Sequence, residues 1–347
     1  MTSYTTSMTR GALALGIAAG IGAGMAMPAF AADKFTWNLN IFGPPRAITR
    51  GVETMVKGLN AASGDDFEIK IHYGAALGPQ KQTPESIKTN GYEGGQMCVG
   101  YYPNKFPLLS VMELPFLLPS DIRARAKVEV AVLSHPDIVK EMASRWNMKY
   151  FAPVYLPAYE FMGNKKITKA TDMKGVKMRI SGLNAKALQV FGGVPTMVTA
   201  PEGYTALERG TIDSFGFPYS YAFGAYKLYE VSKYSTEGVA MSGFMCFIGV
   251  STKAWAKMPA KLKAMVPALQ AKAEEALFAA FEKADKKWIP IFKKRLIVSQ
   301  FPASERAKLS AGASKFWAEW VANQEARGRP GKKILEFVKA QVGKATK

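Results

Sequence analysis

The sequence predicts an α/β protein of two lobes, and three observations lead there. The chain has 347 residues, enough for two domains at roughly 100–200 residues each. Strand-like and helical segments alternate in residues 35–100 and again in 150–209, which implies βα units and largely parallel sheets with helices on their faces. Residues 254–296 are almost continuously helical, a run too long for one small domain and long enough to cross two.

In the first block FTWNLNI (35–41) alternates as a strand, Gly43-Pro44-Pro45 breaks it, and residues 47–61 have helical periodicity. Residues 67–73 read as a strand, 84–90 as a helix and 95–100 as a third strand, which opens into the loop Tyr101-Tyr102-Pro103. The second block begins with MKYFAPVYL near residue 150. It continues with a strand at 176–181 (VKMRIS), a helix at 184–191, a short strand at 196–198 and a helix at 203–209. Pro259, Pro267 and Pro290 lie within or beside the long helical run, where kinks are expected.

Residues 1–31 read as a cleavable export signal: Arg10, then an uncharged run from Gly11 to Met27, then the small-x-small end Ala29-Phe30-Ala31. Many Gly and Ala residues make the run a poor membrane anchor, so a soluble periplasmic protein is expected. Cys98 and Cys246 both sit in apolar strand-like sequence, which favours buried free thiols over a bridge. His72 and His135 are isolated, and no His/Cys spacing suits zinc. Lys and Arg number 46 against 27 Asp and Glu. Residues 251–347 hold 21 of the former and 8 of the latter, spread along amphipathic helical sequence without a block of like charge, which reads as a solvated face and not as a nucleic-acid surface.

Three segments in order resemble the extracytoplasmic solute receptors of TRAP transporters, the DctP-type family. They are residues 76–120 with Glu113-Leu114-Pro115-Phe116, DMKGVKMRIS at 172–181, and EGYTALERGTID at 202–213. The resemblance implies a two-lobed periplasmic-binding-protein clamshell with a long helix bridging both lobes. Lobe I would comprise 32–155 with 243–282, and lobe II 156–242 with 283–347. It also implies a ligand site in the cleft, no cofactor, a monomer, and the membrane permease subunits as partners.

By the same resemblance Arg179 is the ligand's carboxylate anchor. In VKMRIS the alternation independently sets Arg179 apart from Val176, Met178 and Ile180. The chain departs from the family where Phe217 replaces an Asn and Tyr159 a second basic residue, so an apolar or aromatic monocarboxylate is expected in place of a C4-dicarboxylate. Tyr101, Tyr219 and Arg46 complete the ligand-binding candidates, with Arg46 the one residue able to restore a second anion site. A metal-dependent branch of the family needs a carboxylate where this chain has Gly216, so no metal is expected; Glu160 is the acid able to lie near that position. A nucleophile elbow, a paired-carboxylate motif and metal-ligand spacing are all missing from the sequence, which sets a hydrolase aside. A ligand-presenting sensor on the same fold, or a receptor for a dicarboxylate or sugar acid, are the alternatives to a transport receptor for monocarboxylates.

Overall fold

The computed structural model describes residues 34–347 apart from Pro103 and Ser181; the export signal expected at 1–31 lies outside the described residues. In chain order the strands are β1 (Phe35–Asn40), β2 (Phe67–His72), β3 (Gly94–Cys98), β4 (Met148–Val154), β5 (Tyr159–Gly163), β6 (Lys177–Arg179), β7 (Val194–Pro195), β8 (Ser214–Pro218), β9 (Tyr234–Met241), β10 (Cys246–Ser251) and β11 (Ile297–Gln300). They form two sheets, ordered β2-β1-β3-β10-β4 in lobe I and β11-β9-β5-β8-β6-β7 in lobe II. The chain crosses between them through residues 155–158 and again through 242–245.

Each sheet is mixed, which corrects the expectation of largely parallel sheets. β10 runs antiparallel to β3 and β4, and β5 antiparallel to β8 and β9. These are the two strands entered straight after a crossing, and four residues are too few to turn the chain round before pairing begins.

Helix Arg50–Ser63 buries Val52, Met55, Val56 and Leu59, the i, i+3, i+4, i+7 stripe of an amphipathic helix. Gly51 lets it approach closely, since a Cβ there would stand 2.8 Å from the Pro153 carbonyl oxygen and 2.9 Å from Leu277. Leu277 belongs to the long helix Ala260–Arg295, which runs for 36 residues through Pro267 and Pro290, about 54 Å at 1.5 Å per residue. Its first half serves lobe I, where Gln270 donates to the Phe151 carbonyl at 2.9 Å and Tyr155 donates to Glu274 at 2.9 Å. Its second half serves lobe II, where Ser220 donates to Asp285 and Phe292 packs on Tyr219 and Phe223.

The C-terminal segment divides between lobes, contrary to the expectation that 283–347 stays in lobe II. Helix Ala303–Ala313 does lie there, with Arg306 donating to the Val239 and Ala240 carbonyls. Beyond it the chain returns: Trp317 donates to the Pro115 carbonyl, Trp320 to Ser110, and Phe337 of helix Gly331–Ala345 packs on His135. A basic amphipathic helix carries a buried stripe, here Ile334, Leu335 and Val338, but nothing in that pattern says which lobe supplies the partner surface.

Cys98 and Cys246 are joined as a disulfide, correcting the free-thiol reading. They are direct partners in the β3/β10 register with Cα atoms 4.1 Å apart. Their separation of 148 residues hides that proximity from the sequence. A bridge closing so long a loop restricts the unfolded chain strongly, and losing one typically costs about 2–5 kcal/mol. Replacing both cysteines with serine is therefore expected to lower the unfolding free energy by that order in urea titrations. An unchanged midpoint would mean that the pair is not bonded.

Candidate functional site

A small cavity of about 20 Å³, room for about one water molecule, lies between the lobes. A larger groove of about 570 Å³ opens among the outer helices of lobe I, lined by Val130, Met142, Trp255 and Val266, but its cations are the lysines 149 and 263 and it holds no buried guanidinium.

Arg179 ends β6, with Phe215 of β8 as its register partner. Its side chain is fully buried. Nε donates to the Val198 carbonyl at 3.0 Å, Nη1 makes a long contact with the Gly216 carbonyl at 3.4 Å, and Nη2 donates to the Tyr101 hydroxyl at 3.1 Å across the cleft. Its Cζ lies 4.7, 5.1 and 5.6 Å from the ring centroids of Phe215, Phe217 and Phe244. These dipoles and π-faces orient the guanidinium without neutralising it.

Arg46, in the turn after β1, lines the cavity wall. Its Nη1 donates to the Phe42 and Pro44 carbonyls at 2.8 and 2.7 Å, and its Cζ lies 5.2 Å from the Phe42 centroid and 5.8 Å from that of Tyr226. Neither Arg46 nor Arg179 has an acidic partner within 4 Å among the described residues. Arg125, equally buried, shows the contrast: Glu129 holds its Nε at 2.7 Å, and its Nη2 donates to the Gly243 and Phe244 carbonyls of the second crossing.

Between the two cations the wall is aromatic. Phe217 packs on Tyr226 on one side and Phe42 on Tyr101 on the other, at centroid distances of 5.7 and 5.8 Å. Tyr159 stands edge-on to Phe217 and beside Phe244. Burial raises the pKa of the Tyr159, Tyr221 and Tyr226 phenols above the ordinary value despite the opposing pull of the nearby arginines, so all three remain donors.

Five of the six sequence-selected residues thus meet: Arg179 guards the cavity, and Arg46, Tyr101, Tyr159 and Phe217 line it. Tyr219 does not join them. β8 ends at Pro218, so the two-residue alternation that would set Tyr219 beside Phe217 stops there. Its ring packs instead on Phe223 and Phe292, and its hydroxyl donates to Glu237 at 2.6 Å. Sequence reasoning misses Phe42, Phe244 and Tyr226, which come together only through the crossings and turns. It also misses the disulfide, both of whose cysteines line the cavity.

Glu160 accepts the Val239 and Ala240 backbone N–H groups at 2.9 and 3.0 Å, which makes it a brace for the end of β9. Among the described residues no cluster of three or more His, Cys, Asp or Glu side chains is arranged to hold a metal.

A cavity closed between two lobes, carrying buried cations without carboxylates, defines a solute-binding protein of the two-lobed class. The chain belongs to the DctP family, bacterial extracellular solute-binding protein family 7, whose model matches residues 42–324. It is 30% identical over 191 residues to a solute-binding protein of Verminephrobacter eiseniae, covering 53% of this chain and 55% of that one. It is 26% identical over 167 residues to a monocarboxylate 2-oxoacid-binding periplasmic protein of Nostoc, covering 47% and 45%. The chain spans about half the length of the curated relatives it matches. Its fold is similar to a TRAP periplasmic solute-binding protein of Desulfovibrio salexigens with bound orotic acid, at TM-score 0.79 and 22% identity over 90% of this chain and 100% of that one. A Rhodoferax ferrireducens TRAP solute-binding protein with copurified benzoate gives 0.77 and 20% over 90% and 99%.

Glu113, of the Glu-Leu-Pro-Phe segment, belongs to lobe I but touches lobe II: a Cβ on Gly182 would stand 2.2 Å from its carboxyl oxygen. Burial pushes its pKa up to about 8 against the lowering effect of the Gly100 N–H and Arg125. The folded protein therefore keeps a proton that the unfolded chain releases near its ordinary value of 4.5. The stability this confers is complete below that value and is lost as pH rises towards 8, by up to about 1.4 kcal/mol per pH unit. Urea midpoints measured from pH 4.5 to 8 are expected to decline, with a shallower slope in Glu113→Gln. Equal slopes would show that Glu113 is ionised throughout.

Proposed function

We propose that this protein is a periplasmic receptor that captures an organic acid and passes it to the membrane permease of a TRAP-type transporter, without a catalytic step. The single observation that carries the reading is Arg179, fully buried in the cleft with no acidic partner within 4 Å among the described residues. A ligand carboxylate supplies the missing counter-charge and the two-pronged geometry a guanidinium favours. The similar proteins support it, since those with bound ligands hold orotic acid and benzoate and the Nostoc relative is named for 2-oxoacids. Among the described residues no helix is long and apolar enough to cross a membrane.

Within that class the ligand is a monocarboxylate with a hydrophobic or aromatic body. Phe217, Tyr159 and Phe244 offer it rings, and burial against them contributes about 25 cal/mol per Å² of apolar surface. Arg46 is present, with its Nη1 engaged by two backbone carbonyls.

Truncating one member of a buried charge pair costs about 2–5 kcal/mol. Arg179→Ala is expected to weaken binding of a phenyl-substituted monoacid by roughly thirtyfold or more, and Arg179→Lys to weaken it as well, because an ammonium cannot make both contacts. Near-native affinity in both variants, by calorimetry, overturns the anchor. Titrating wild-type protein with phenylacetate beside succinate and malate is expected to show tighter binding of the monoacid. Tighter binding of either diacid overturns the ligand class and leaves the fold untouched.

A further inference from the structure

The cavity has a second polar pole. Arg46 Nη2 and the Tyr226 hydroxyl are both buried, and neither has a hydrogen-bond partner among the described residues. Both residues line the same cavity as Tyr159 and Phe217. They are close to each other: a Cβ on Gly43 would lie 2.5 Å from Tyr226 Oη and 2.9 Å from Arg46 Nη1. Gly43 itself holds φ +71°, a left-handed conformation that glycine adopts without strain, so the turn keeps that space free of a side chain.

Leaving buried donors unpaired is costly, more so for a charged group. The tyrosine oxygen stays protonated, since burial raises its pKa against the lowering influence of Arg46. The pole therefore presents at least a phenol O–H and the N–H groups of one guanidinium nitrogen, all donors. Arg46 Nη1 is tied to the Phe42 and Pro44 carbonyls. A phenol donor and a guanidinium donor side by side suit one oxygen atom with two lone pairs.

Resting on the carboxylate reading of Arg179, we propose that Arg46 and Tyr226 form a second recognition site that selects ligands bearing one neutral oxygen, a hydroxyl or carbonyl, in addition to the carboxylate. The arrangement is reciprocal across the cleft. Arg179 of lobe II bonds Tyr101 of lobe I, and Arg46 of lobe I stands over Tyr226 of lobe II. A ligand oxygen accepting from both Arg46 and Tyr226 ties the two lobes together.

The test titrates benzoate and phenylacetate, each beside its 3- and 4-hydroxy and 3- and 4-formyl derivatives, into wild type, Tyr226→Phe and Arg46→Met. The readout is the ratio of dissociation constants, parent acid over oxygenated acid, so losses common to both cancel. In wild type at least one oxygenated acid is expected to bind about tenfold or more tighter than its parent, the worth of a hydrogen bond to a charged group. That ratio is expected to fall to within about threefold of unity in each variant. A ratio near one for every wild-type pair, or an advantage that survives in both variants, overturns the second site while the Arg179 anchor stands. If no acid of the panel binds wild type, the carboxylate reading falls and the second site with it. Tyr226→Phe removes a single oxygen and keeps the ring packing, so it decides the matter even if Arg46→Met disturbs the turn at Phe42 and Pro44.

Discussion

A guanidinium buried without a counter-ion is the constraint around which this molecule is arranged. Arg179 has lost its water, and desolvation of a full charge is repaid only by excellent geometry and an opposite charge. Carbonyl dipoles at Val198 and Gly216, the Tyr101 hydroxyl and three ring faces supply the geometry. On the proposed reading, the charge is left for a ligand. Arg125 shows what a purely structural solution looks like in the same fold, because Glu129 sits one helical turn away and neutralises it. The difference between these two buried arginines is the presence or absence of a carboxylate partner within 4 Å among the described residues.

The crossings connect that site to the mechanics of the fold. Phe244 lies in the second crossing, its carbonyl is held by Arg125, and its ring lies against Tyr101, Tyr159 and the Arg179 guanidinium. Two residues later Cys246 is bonded to Cys98, which fixes the lobe I side of the crossing to β3. On the lobe II side Glu160 and Arg306 take up the backbone groups of Val239 and Ala240. The mobile length between these anchors is only a few residues, so displacement of one lobe relative to the other must shift Phe244 and with it the wall of the cavity.

How much of this is legible in the sequence depends on how local each feature is. β1, β2, β3 and β6 announce themselves in the local pattern, and the long helix by its length. Arg179 is legible because alternation in VKMRIS and a family-like segment point to one residue. The rest depends on distant pieces of chain meeting. The disulfide needs β3 and β10 to be neighbours, and the return of the C-terminal helix needs an exposed face on helix Ile122–Leu133. Tyr226 reaches Arg46 only because a short helix, Tyr221–Ala225, turns the chain back towards the β1 turn. Tyr219 shows the converse error, since a strand that ends one residue earlier than the aromatic pattern suggests sends the side chain to another neighbour.

Reciprocal pairing of arginine and tyrosine across the cleft also bears on how a ligand selects the closed arrangement. A ligand shifts a conformational equilibrium only by contacts it makes in one state and lacks in the other. A carboxylate on Arg179 alone could be held by lobe II in any arrangement, with Tyr101 as the sole contribution of lobe I at that pole. Contacts that require both lobes at once, at Arg179 with Tyr101 and at Arg46 with Tyr226, exist only when the lobes are together. A ligand that satisfies both poles gains the difference twice, and because each tenfold preference is about 1.4 kcal/mol, two modest hydrogen-bonded contacts are enough to move the population by about a hundredfold. The aromatic wall between the poles adds affinity in proportion to buried area, and the spacing of the polar groups at its ends decides which acids gain closure along with it.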